Sequence, residues 1–163
     1  MLAGGIYPFA ATLMTKEAGR WVEEFGRGHT DTFGGSEIGC VVAGKVLDIV
    51  TRPSTVENVH FLSSYFKEGL DKVMAHYPDF FTDYTKKGLV MGLRFGHKDA
   101  GIYVMRALCR NGIWAIYATF DPEIVQFNPG LLCTKEYVDE LMEKFDRSVG
   151  EARDEYLREN PAG

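Results

Sequence analysis

Residues 29–50 read H-T-D-T-F-G-G-S-E-I-G-C-V-V-A-G-K-V-L-D-I-V. A polar loop closes on Thr32 and Phe33, two glycines follow, and apolar residues then recur at helical spacing. Hydroxyl and glycine N–H groups feeding a helix start form a common anion-holding arrangement. The glycines permit positive φ and close backbone approach. The helix is expected to begin near Gly35-Ser36. Ile38, Val41, Val42, Val46, Ile49 and Val50 make one side apolar, while Gly39, Cys40, Ala43 and Gly44 make the other side small. Such a helix is expected to be buried from both directions and to bridge two bodies, one of them outside this sequence.

The segment before it points the same way. Residues 9–14 are short, mostly apolar and small, as in a strand covered on both faces of a sheet. No strand-like neighbour lies close in sequence, so the chain is expected to be part of something larger. Pairing with a later strand of the same domain is the alternative. Thr15 caps a helical turn through Lys16, Glu17, Ala18 and Trp21 that ends near Phe25-Gly26.

Beyond the central helix, Arg52-Pro53 stops the chain, and Ser54 with Glu57 predicts a capping box. The next helix runs to about Tyr77 on a stripe of Val59, Leu62, Phe66, Leu70 and Val73, with Lys67, Glu68, Asp71 and Lys72 facing water. Pro78 ends it. Strands are expected over residues 80–84 and 89–95, with Lys86-Lys87-Gly88 as the turn. Residues 99–110 form a helix stopped at Asn111-Gly112. Two more strands, 113–117 and 123–127, meet at a turn around Asp121-Pro122. After the turn at Asn128-Pro129-Gly130, Thr134 caps a last helix that buries Val138, Leu141, Met142, Phe145, Val149 and Tyr156. The order fits a small α+β layer, so the fold class is α/β.

The 163 residues suffice for one domain with a real core. A net charge of −5 and the lack of any basic block argue against a nucleic-acid surface. Cys40, Cys109 and Cys133 sit in apolar stretches, and are expected to be buried free thiols in a reducing compartment, the cytoplasm. No C-x-x-C or H-x-x-x-H spacing supports a metal site. No apolar run is long enough to span a membrane, and no signal peptide is evident.

The motif H-T-x-T-F-G-G, the small-residue helix and V-L-D-I after it resemble the class III family of aminotransferases, which depend on pyridoxal 5′-phosphate. K-G-L-V-M-G-L-R-F resembles that family's small-domain strand. A-G-G-I-Y-P-F-A-A-T-L-M resembles the segment after its cofactor lysine. The resemblance covers residues 3–156. It implies a fold type I architecture and a homodimer. Matching on Gly4, Gly5, Tyr7 and Pro8 places the Schiff-base lysine one position before Met1, so no catalytic residue is expected within the chain. Residues 1–33 are then a remnant of the large domain (strand, short helix, phosphate loop), and residues 34–163 are the C-terminal small domain with the bridging helix. The resemblance gives Thr32 the phosphate of the partner subunit's cofactor, with Phe33 a further candidate beside it. From the residues alone, Thr32 serves equally well as a helix-entry residue satisfying its own backbone. His29 reads as a loop hydrogen-bonder, and the Glu37 carboxylate in the first helical turn would compete with a phosphate.

One position departs from the family. Many members carry an arginine two residues before the Asn-Pro turn, where it pairs with a substrate carboxylate, and here Gln126 stands instead. A glutamine can hydrogen-bond a carboxylate but brings neither charge nor a bidentate fork. Gln126 is therefore a candidate substrate contact or an edge-strand polar residue. Lys16, Lys45, Lys86 and Lys87 do not occupy the family's lysine position, Lys45 lying mid-helix and Lys86 and Lys87 in an exposed turn. The expected function is the C-terminal part of an aminotransferase that moves an amino group from an amino acid or amine to a 2-oxo acid. The chain alone is expected to be inactive. The alternative is a stand-alone, non-catalytic domain that uses the same face for self-association or partner binding. Either way a homo-oligomer is expected.

Overall fold

The computed structural model describes residues 4–25, 32 and 34–161. They fall into two compact units, Met1–Pro53 and Ser54–Gly163.

The first unit holds helices α1 (Arg20–Glu24) and α2 (Glu37–Val50). Thr15 does open a helical turn: its Oγ1 accepts the Ala18 N–H at 3.2 Å, and its carbonyl accepts the Gly19 N–H at 2.9 Å. The expected strand at residues 9–14 does not form. The stretch has no ladder partner, and Leu13 is 96% exposed. Extended backbone becomes a strand only against an edge, and the sheet of the described residues is built wholly from residues 81–127. Within this chain α2 buries one of its two sides, the second body expected of it lying outside the sequence. Gly39 and Ala43 are its buried residues, whereas Ile38 and Val41 on the apolar side are largely exposed. The small side packs because Gly39 lets aromatic rings approach: a Cβ there would lie 2.8 Å from Phe9 Cδ2 and 3.0 Å from Tyr7 Cε1.

The second unit is a four-stranded antiparallel sheet in the order β1-β2-β4-β3, with helices on one face. Helix α3 (Pro53–His76) starts two residues earlier than a Ser54 cap requires. Pro53 is suited to a first helical position because its missing N–H is not needed there, so Ser54 lies inside the first turn. Strand β1 (Phe81–Lys87) turns through Gly88-Leu89 into β2 (Val90–Phe95), with Lys87 opposite Val90. Lys86 and Lys87 are therefore strand residues, not the turn expected of them. The left-handed corner is Gly88 alone, at φ +60.

Helix α4 (Ala100–Arg110) ends as the Asn111-Gly112 pair predicts. Gly112 adopts φ +79, its N–H reaches the Cys109 carbonyl, and the Ile113 N–H reaches the Leu108 carbonyl at 2.8 Å. Strand β3 (Ile116–Ala118) and strand β4 (Asp121–Phe127) turn at Thr119-Phe120, so Asp121 and Pro122 begin β4 instead of forming the corner. Thr134 caps α5 (Lys135–Glu159) by accepting the Tyr137 N–H.

The core lies between helices and sheet. Leu62, Phe66, Leu70 and Val73 of α3 meet Met91, Leu93 and Phe95 of β2, Val125 and Phe127 of β4, and Val138, Phe145 and Val149 of α5. Phe66 packs edge-on to Phe127 and Phe81 edge-on to Phe145. The order of the cross-links shows α3 parallel to α5, through Tyr65 with Asp139 and His76 with Asp146. Likewise α4 runs antiparallel to α5, through Tyr103 with Glu159 and Arg110 with Glu155. The cysteines depart from expectation: Cys40 and Cys109 are exposed and Cys133 is half-buried. Cys109 lies beside the buried stripe of α4, where adjacent helical positions point elsewhere, whereas Cys133 lies in the turn before α5.

Candidate functional site

The start of α2 carries the predicted anion site. Thr32 is exposed, and Gly34 and Gly35 turn the chain into the helix, Gly35 at φ +73. Phe33 and His29 lie outside the described residues. Ser36 occupies the N-cap position, yet its hydroxyl makes no cap bond; it pairs instead with the Tyr7 hydroxyl at 3.1 Å. The first-turn N–H groups of α2 thus have no side-chain cap from Ser36. That suits a phosphate, whereas Glu37, exposed in the same turn, opposes one. The donors here fit the phosphate end of pyridoxal phosphate: a hydroxyl, a glycine turn and helix-start amides. The sequence marked Tyr7 only as a residue matching the family's segment, not as a partner of Ser36. The only local signal was an aromatic beside proline, and its partner lies twenty-nine residues away.

Gln126 lies in the second unit, on the sheet face opposite the helices. It pairs with Gly92 of β2 and with Ile116 of β3. Because Gly92 has no side chain, a cleft of about 450 Å³ opens there, lined by Thr85, Lys87, Val90, Gly92, Gln126 and Asn128. Arg94, further along the same face, is not available to a ligand: it donates to Asp121 at 2.8 Å and to Glu123 at 3.0 Å. The Asp121 hydrogen bond holds its guanidinium above its ordinary range.

The other lysines are spread out. Lys16 and Lys45 are exposed in the first unit. Lys86 reaches to the helix side, donating to the Ser63 carbonyl at 2.9 Å and the Ser63 hydroxyl at 2.7 Å. Nearby, Lys67 and Tyr84 both donate to Asp71, which lowers its carboxyl below the usual range. These groups stitch α3 to the sheet. Among the described residues no set of His, Cys, Asp or Glu is arranged to hold a metal ion, and no helix is long and apolar enough to cross a membrane.

Known proteins give this arrangement its family. The profile of "Aminotransferase class-III" matches residues 1–149. An uncharacterized aminotransferase of Archaeoglobus fulgidus is 37% identical over 143 residues, 88% of this chain and 34% of that protein. Acetylornithine aminotransferase of Pseudomonas putida is 30% identical over 148 residues, 90% of this chain and 35% of that protein. The crystal structure of acetylornithine aminotransferase from Elizabethkingia anophelis superposes with a TM-score of 0.78 at 25% identity, over 92% of this chain and 39% of that one. A transaminase from the marine bacterium Virgibacillus shares the fold with a TM-score of 0.82 at 19% identity. The chain spans about a third of the length of the curated relatives it matches. Its fold is that of fold type I aminotransferases, and the chain belongs to the class III aminotransferase family.

Proposed function

We propose that this chain is the C-terminal third of an aminotransferase that moves an amino group from an amino acid or amine to a 2-oxo acid, and that the chain alone does not turn over. The observation that carries this is the family match through residues 1–149, together with relatives about three times as long. When bound, pyridoxal phosphate supplies the electron sink for the bond broken at the substrate's amino carbon. The residues of this chain do the holding. The Thr32 hydroxyl donates to the phosphate, and the turn at Gly35 brings backbone N–H groups close to it. Gln126 offers its amide to the substrate from the open sheet face.

The phosphate that Thr32 meets is assigned to a second copy of the chain. Apolar residues of the first unit support a covered surface there: Ile38 is 66% and Val41 73% exposed. Such side chains are normally buried by a partner surface.

The test is titration of the 163-residue chain with pyridoxal phosphate, borohydride reduction and intact mass. The expected result is an unmodified 18.3 kDa species and no turnover above a cofactor blank. Extending the chain with the coding sequence upstream should restore both the lysine and the activity. A stoichiometric adduct on one lysine of this chain, or turnover by the chain alone, would overturn the proposal.

A further inference from the structure

The sequence holds four asparagines: Asn58 before valine, Asn111 before glycine, and Asn128 and Asn160 before proline. The residue that follows decides their chemistry. A backbone nitrogen just after an asparagine can attack the side-chain carbonyl carbon and close a five-membered succinimide. Proline has no N–H to react, and the branched side chain of valine crowds the approach. Asn58 also lies inside α3, where the backbone is fixed. Gly112 is exposed and has no side chain, and beyond its chain neighbours no described heavy atom lies within 4 Å of where a Cβ would stand. Asn111 is therefore the asparagine whose neighbour is open to react.

The fold engages both reacting groups elsewhere. Asn111 Nδ2 donates to the Ala107 carbonyl at 3.0 Å and to Glu151 of α5 at 3.0 Å, which uses both of its hydrogens. The Gly112 N–H donates to the Cys109 carbonyl at 3.1 Å. The next N–H, that of buried Ile113, closes the helix end on the Leu108 carbonyl. One turn further along α5, Glu155 accepts from Arg110 at 2.8 Å. Asn111 and Arg110 thus clasp the end of α4 to α5.

We propose that Asn111-Gly112 is a self-modification site, held in check by this clasp. The Gly112 nitrogen bonds to Asn111 Cγ, the Cγ–Nδ2 bond breaks, and the Gly112 proton leaves with Nδ2 as ammonia. Water then opens the ring at either carbonyl carbon, leaving aspartate or isoaspartate, and nothing is oxidised or reduced. Neither product can resume the clasp. A carboxylate only accepts, so it meets the Ala107 carbonyl and the Glu151 carboxylate with no hydrogen to donate. It also places negative charge at a helix C-terminus. Isoaspartate in addition lengthens the backbone by one carbon at the turn that seats Ile113 and leads into β3. The modification loosens the α4–α5 joint irreversibly, and it stands independently of the aminotransferase reading.

The experiment is incubation of the 163-residue chain in mildly alkaline buffer, with and without denaturing urea, followed over time by peptide mapping with mass spectrometry. The peptide holding Asn111 is expected to gain the mass difference of O for NH, in two chromatographically separate products. Peptides holding Asn58, Asn128 and Asn160 should keep their mass. The folded chain should react at least about tenfold more slowly than the unfolded one, because it reacts only from locally opened molecules. Glu151→Ala should speed the folded reaction about fivefold, the scale of one net hydrogen bond, and leave the rate in urea alone. Glu151→Gln keeps an acceptor oxygen and should retain most of the protection. Asn111→Asp, which has the side chain of one product, should lower Tm. The proposal is overturned if Asn111 stays unmodified in urea, if the folded and unfolded rates agree, if a folded Glu151→Ala chain reacts like the parent, or if Asn111→Asp melts with the parent. Should Glu151→Ala fail to fold by circular dichroism, the parent's ratio of folded to unfolded rates still decides the matter.

Discussion

The two units bury very different amounts of themselves. In Ser54–Gly163, three helices press a layer of phenylalanines against one sheet face, and Phe66, Phe80, Phe81, Phe95 and Phe145 are all fully buried. In Met1–Pro53, Gly39 and Ala43 are the buried residues among those described, while Trp21, Phe25, Ile38 and Val41 are exposed. Side chains that large reward burial by about 1.5–3 kcal/mol each, so the first unit leaves most of its hydrophobic free energy uncollected. The contrast separates two kinds of sequence. The second unit specifies a core that it completes itself. The first specifies apolar surface whose partner is not among its own described residues, and it is the unit carrying Thr32.

The strongest challenge to this contrast is a large-to-small substitution in each unit. Phe66→Ala removes a ring with no exposure from the centre of the core and should cost about 3–5 kcal/mol. Leu13→Ala, at a side chain 96% exposed, should stay within about 0.5 kcal/mol. Urea unfolding of both variants is the measurement. Comparable losses would show that the first unit has a core of its own and would break the comparison.

Glycine substitutions sharpen the comparison at a smaller scale, because each unit has a tight one. At Gly101 a Cβ would lie 2.4 Å from the Pro122 carbonyl oxygen, so backbone must move. Gly101→Ala should cost about 1–3 kcal/mol. At Gly39 the obstruction is the rings of Tyr7 and Phe9, neither of them fully buried, which can swing aside. There the helix preference for alanine, about 1 kcal/mol, offsets the displacement, and Gly39→Ala should change stability by less than Gly101→Ala. A larger loss at Gly39 in thermal unfolding would mean that the aromatic seam of the first unit is rigid.

Which parts of this were readable in sequence follows from the range of each signal. The α3 and α5 stripes, the Thr134 cap and the Asn111-Gly112 stop are local patterns, and each appears where its residues predict. Lys86 and Lys87 looked like a turn because charge beside glycine is turn-like, but hydrogen-bond pairing with Met91 and Val90 overrides composition. Residues 9–14 have strand composition, but a strand needs a second edge, which composition cannot supply. The cleft was harder still. Gln126 was singled out by resemblance, but Lys87, Gly92 and Thr85 join it only through register, which a single sequence does not display. The Tyr7–Ser36 bond was hidden in the same way, its partners being far apart along the chain.

Acid titration gives the smallest effect and tests the contrast by charge instead of packing. In the second unit, Arg153 Nε donates to both Asp79 oxygens at 2.9 and 3.1 Å, and this pairing lowers the Asp79 carboxyl below its ordinary 3.8. Hydrogen bonds from Lys67 and Tyr84 lower Asp71 in the same sense. A carboxyl depressed in the folded state stabilises it fully above the unfolded value, and that contribution drains away as pH falls through the folded value. In the first unit the ion pair among described residues is Arg20–Glu24 at 4.0 Å, on an exposed helix turn, where such pairs contribute little. Stability lost as pH falls below the ordinary carboxyl value of 3.8 should therefore come from Ser54–Gly163. Asp79→Asn should lower Tm slightly at neutral pH and flatten its fall on the acid side, because the proton uptake that drives part of that fall is gone. Glu24→Gln should leave the whole profile in place. Thermal melts of the parent and both variants from pH 2 to pH 7 decide it: an unchanged acid slope in Asp79→Asn would remove the Asp79–Arg153 pair from the electrostatic stabilisation of the second unit.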